Sequence, residues 1–80
     1  MTQTADDLRA TRALIANNQD LTAADAMWEA CGHDVLRVSD VAHAIYKHVG
    51  IPTRHWAAVS DHATVLAGFD AAIKAEEACP

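Results

Sequence analysis

The chain has 80 residues and a net charge of −5, from 11 acidic and 6 basic side chains. That length allows one domain, residues 1–80, with no room for a separate catalytic half. The acidic balance disfavours non-specific attachment to nucleic acid or to an anionic membrane. The apolar share is 51 %, but 18 of those residues are alanine, so the core has little side-chain volume and the helices must approach closely.

The first predicted helix runs from about Ala5 to Asn17. Thr4 is placed to cap it, Asp6 and Asp7 suit the positive end of its dipole, and Ala5, Leu8, Leu14 and Ile15 supply an apolar stripe with Arg9 and Arg12 outside it. A polar turn, Asn17 to Asp20, follows. The second helix runs from about Ala23 to Cys31, with Thr22 as N-cap, Asp25 at the third position and Gly32 as the stop. Its apolar residues go almost all the way round, and only Asp25 and Glu29 mark a polar face. Such a helix is either the centre of a bundle or a partner surface.

The third helix is expected from Ser39, its cap, to Val49, because Val38, Val41, Ala42, Ile45 and Val49 follow helical spacing. Val35 and Leu36 are assigned to a short preceding turn, and Asp40, His43 and Lys47 to the wet side. Gly50 ends the helix, and Pro52 opens a short fourth one carrying Trp56 and Val59. Ser60 or Asp61 then caps a last helix from about His62 to Glu77, with Val65, Leu66, Phe69, Ala72 and Ile73 inward and Asp70 paired to Lys74 at i, i+4. Glu76 and Glu77 lie at the negative helix end, where fraying is expected. No run alternates with period two. The fold expected is therefore all-α, a compact bundle of four to five short helices.

Few residues point to chemistry. The five histidines, His33, His43, His48, His55 and His62, fall within thirty residues of the chain, but none are paired at i, i+3 or i, i+4, so no metal site is predicted. Cys31 lies on an apolar helix without an electropositive neighbourhood, which makes it an inert thiol rather than a nucleophile. No nucleophile elbow, phosphate loop or zinc-protease motif is present. The chain reads as non-enzymatic and without cofactor.

Cys31 and Cys79 make no disulfide framework and read as reduced thiols of a cytoplasmic protein. The opening MTQTADDLRA has acids where a secretory signal needs basic residues, and no apolar run approaches the roughly 18 residues that span a bilayer.

Two segments suggest binding. In residues 42–61, AHAIYKHVGIPTRHWAAVSD, Gly50 sits where a helix-turn-helix places its turn glycine, with Ile45, Val49, Ile51, Trp56 and Val59 at buried offsets. Thr53, Arg54 and His55 would then open a DNA-recognition helix. Against this, Tyr46 stands four before the glycine, where a small residue is needed, and the local charges balance. The second segment is the second helix itself. Trp28 is about a quarter-turn from Met27, and with Ala24 and Cys31 it forms a candidate protein-binding surface.

The pieces LRATRALIA, Cys31, Trp56 and HATVLAGFDAAI together resemble an uncharacterised family of short actinobacterial and phage-borne proteins, the closing helix most closely. Ala57 and Ala58 stand where that family has an Asn-Asp pair after its tryptophan. The resemblance implies a small helical protein and lends no activity. The function expected is that of a small acidic protein-binding module, in its sharpest form a phage or mobile-element inhibitor that occludes a nucleic-acid-handling host protein. A helix-turn-helix regulator and a self-associating structural protein, completed by a second copy, are the alternatives.

Overall fold

A computed structural model describes residues 3–18, 20–49 and 62–78 of the chain. Among these it has four helices and no strand: α1 (Gln3–Asn17), α2 (Ala23–Ala30), α3 (Val35–Val49) and α4 (His62–Ala78). The short helix predicted from Pro52 lies outside the described residues. No described helix is long and apolar enough to cross a membrane.

The central element is α1, which packs against each of the other three helices, while α3 also packs against α2 and α4. The second helix, one of whose predicted roles was the bundle centre, is peripheral. Leu8 and Ile15 are fully enclosed on α1, with Ala5 and Thr11 beside them. Thr11 enters the core because its hydroxyl donates to the Asp7 carbonyl at 2.7 Å, leaving its methyl to pack. Leu14 is not part of this stripe. At 100° per residue it lies roughly a third of a turn from Leu8, and it is exposed. Nor does Thr4 cap α1, which already begins at Gln3.

The start of α3 differs most from expectation. It begins at Val35, four residues before Ser39, because Asp34 caps it: Asp34 Oδ1 accepts from the backbone N–H groups of Leu36 at 2.9 Å and Arg37 at 3.3 Å. The added turn carries Val35 and Leu36 outward, off the buried stripe of Val41, Ala44 and Ile45. On α4 the inward residues are those predicted, with Phe69 the largest fully buried side chain and Val65 and Ala72 beside it.

Several charge pairs clamp the helices across the bundle. Asp70 pairs with Arg12 of α1 through two contacts, 2.7 and 3.3 Å, and not with Lys74. Glu77 accepts from Arg9 at 2.6 Å, which holds the last turn of α4 where fraying was expected. The most enclosed carboxylate among the described ion pairs is Asp7, which meets Arg37. Arg37 Nε donates to Asp7 Oδ2 at 3.0 Å and Nη2 to Oδ1 at 2.6 Å, and Gln3 Nε2 also donates to Oδ1 at 3.0 Å. The Asp7 side chain is 4 % exposed and that of Arg37 36 %. The Arg37 guanidinium holds the Asp7 carboxyl below the ordinary carboxylate range, prevailing over the upward push of burial.

Candidate functional site

The second helix is bounded as its sequence predicts. Thr22 Oγ1 accepts from the Asp25 N–H at 3.1 Å at its start. At its end Gly32, at φ +63°, and His33, at φ +61°, are both left-handed. The Gly32 N–H donates to the Glu29 carbonyl at 3.2 Å and the His33 N–H to the Trp28 carbonyl at 2.8 Å. These are the two hydrogen bonds of a Schellman cap, with Cys31 as the C-cap residue. The side-chain contact that accompanies such a cap is here Trp28 with His33: their rings meet edge to face, 6.3 Å between centroids and 70° between planes. His33 Nε2 in turn lies 3.1 Å from Glu29 Oε1.

Trp28 thus has a structural task, to cover the cap, and it remains 38 % exposed. Ala23, Ala26 and Met27 turn inward, while Ala24, Asp25, Trp28 and Glu29 form the outer arc. Trp28 and Ala24, four residues apart, share that arc as expected. Cys31 does not. It is fully buried, belongs to the core cluster and cannot line a surface. Its position one helical turn after Met27, whose carbonyl accepts from the Cys31 N–H at 3.0 Å, carries it inward. Burial, and then the negative charge of Asp7, push its thiol up, so it is a poor nucleophile at neutral pH.

The sequence reading missed two residues of the same corner. Val35 is 65 % and Leu36 77 % exposed in the first turn of α3, directly after the cap that follows Trp28. The signal for them was Asp34, an N-cap residue one position before Val35. Tyr46, further along α3, is also exposed.

The three histidines whose side chains are described, His33, His43 and His48, form no cluster. His33 pairs with Glu29, His43 is exposed, and His48 Nε2 is buried 3.5 Å from Glu76 Oε2 without a hydrogen bond. Among the described residues no three metal-ligating side chains come together. Asp7 is held by three donors and is the anchor of α3 on α1. Thr53, Arg54 and His55, the candidate DNA-contacting residues, lie outside the described residues.

No protein-family model, curated protein or solved structure matches this chain.

Proposed function

We propose that this chain is a non-enzymatic protein-binding module whose contact surface is centred on Trp28 and Ala24 of α2. The observation that carries this reading is the division of α2. A peripheral helix with one face in the core keeps a large aromatic side chain on its other face, more than a third exposed. Tryptophan is among the commonest energetic anchors of protein interfaces, and its ring is held here against His33, so little side-chain entropy is lost on contact. The acidic balance supports the sharper form of the reading, since it suits contact with a basic, nucleic-acid-handling surface. In that form the module is an inhibitor that occludes a nucleic-acid-handling host protein.

Capture from the native host with tagged wild-type chain and a Trp28→Ala variant tests this. Truncating a fully buried tryptophan costs about 3–5 kcal/mol. Trp28 is covered over about three-fifths of its surface, so the expected loss is about 2–3 kcal/mol, within the roughly 4–12 kcal/mol available to 80 residues. The variant is expected to stay helical and to lose the partner. A folded variant that retains the wild-type partner would overturn the proposal.

A further inference from the structure

The surface around Trp28 also specifies the chemistry of what it meets, given the reading of Trp28 as a contact residue. Residues 20–40 contain Asp20, Asp25, Glu29, Asp34 and Asp40 against Arg37 alone, so this stretch holds −4 of the net charge of −5. All five carboxylates are on exposed residues, whereas Arg37 is turned onto Asp7. Elsewhere the acids meet bases, Arg9 with Asp6 and Glu77 and Arg12 with Asp70, and the residues outside 20–40 sum to only −1. Most of the net charge therefore lies along α2, the first turns of α3 and the turn before α2, a stretch that also carries three of the exposed large apolar side chains, Trp28, Val35 and Leu36.

We infer that the α2–α3 corner binds a basic segment of a partner protein, with arginine or lysine side chains meeting Asp25, Glu29, Asp34 and Asp40 around an apolar residue laid on Trp28 and Leu36. An apolar centre with a charged rim is the anatomy of a specific interface, and the sign of the rim selects the partner. A second copy of the chain fits poorly. An isologous contact through this corner would set each copy's acidic stretch against its own like charge. A nucleic acid is disfavoured by the same sign. The cap interaction of Asp34 leaves its charge in place, since a carboxylate can accept more hydrogen bonds than the two it makes to the backbone.

The test is a nuclear magnetic resonance titration of the isotope-labelled full chain with a synthetic peptide of alternating arginine and leucine, and with its glutamate and leucine counterpart. The basic peptide is expected to shift the amides of residues 24–36 and the Trp28 indole N–H, and the acidic peptide to leave them in place. Leu36→Ser removes an exposed side chain and no charge, and it should weaken binding about tenfold. Asp25→Lys combined with Glu29→Lys should weaken it further and flatten its salt dependence. Shifts spread evenly over all surface acids, equal binding of both peptides, or an unchanged affinity in Leu36→Ser would each overturn the inference. So would self-association of the free chain through the same amides, which would assign the corner to a second copy. If the peptides fail while Trp28→Ala still loses its captured partner, the basic-segment inference falls and the contact role of Trp28 stands. If Trp28→Ala keeps its partner, the contact role falls first.

Discussion

Replacing Asp7 with asparagine isolates the enclosed ion pair that ties α3 to α1. The substitution preserves shape and removes one charge from a site that is nearly closed to solvent. An exposed pair would contribute only about 0–1 kcal/mol. Here the carboxylate accepts three hydrogen bonds, two of them from a guanidinium, and bonds to a charged group contribute about 1.5–3 kcal/mol each. Arg37 is about one-third exposed and can turn to water once released, so the low end applies, about 2 kcal/mol at pH 7.

The pH dependence follows from the direction of the shift. The folded chain holds the Asp7 carboxyl below its ordinary value of about 3.9, so its contribution is fully present above that value. The contribution is lost as pH falls through the unfolded and then the folded pKa. Urea unfolding of wild type and Asp7→Asn at a series of pH values between 7 and 3 reads this directly. The gap between the two should be largest at pH 7 and should shrink below about pH 5. A gap that stays constant or widens on acidification, or a variant as stable as wild type at pH 7, would refute the reasoning.

Gly32→Ala should cost about 1 kcal/mol in thermal unfolding. The added Cβ would meet Arg37 Nη1 at an ordinary 3.7 Å, so the cost is that of φ +63° in a residue with a side chain. A loss of several kcal/mol would mean that packing at the corner is tighter than the structure gives. Phe69→Ala removes the largest fully buried side chain and should cost about 3–5 kcal/mol, enough to abolish cooperative unfolding monitored by circular dichroism in so small a domain. A sharp transition near the wild-type temperature would show that α4 is not part of the core.

What the sequence disclosed was what depends on near neighbours. The N-cap Thr22, the stop at Gly32 and the inward residues of α4 each follow from residues within a few positions of one another, and each was readable. The Schellman cap was half readable: Gly32 announced it, and a tryptophan five residues before the following histidine is the spacing its side-chain contact requires. What was misread depends on distant partners or on exposure. Asp7 looked like a dipole residue because Arg37, thirty residues on, supplies its partner only in the fold. Asp70 looked like a mate for Lys74 for the same reason, since Arg12 lies fifty-eight residues away.

The early start of α3 was hidden because Val35 and Leu36 are apolar and exposed. A reading that seeks a buried stripe begins the helix where the stripe begins. Those two residues break the rule that locates helices, and they open α3 directly after the cap that ends the helix of Trp28. For Trp28 itself the sequence left core and surface open, because an apolar arc that wide has no unique inner face. The structure divides it, placing Met27 in the core and Trp28 outside.

The most direct test of the central claim is site-specific photo-crosslinking in the native host, with a benzoylphenylalanine in place of Ala24. That position is exposed one turn before Trp28, so the probe reports on the surface without removing its anchor. The matching control sits at Ala71, exposed on α4. The account predicts a single crosslinked partner from position 24 and none from position 71, with the adduct competed away by untagged wild type and not by Trp28→Ala. No adduct at position 24, or the same adduct from position 71, would contradict it.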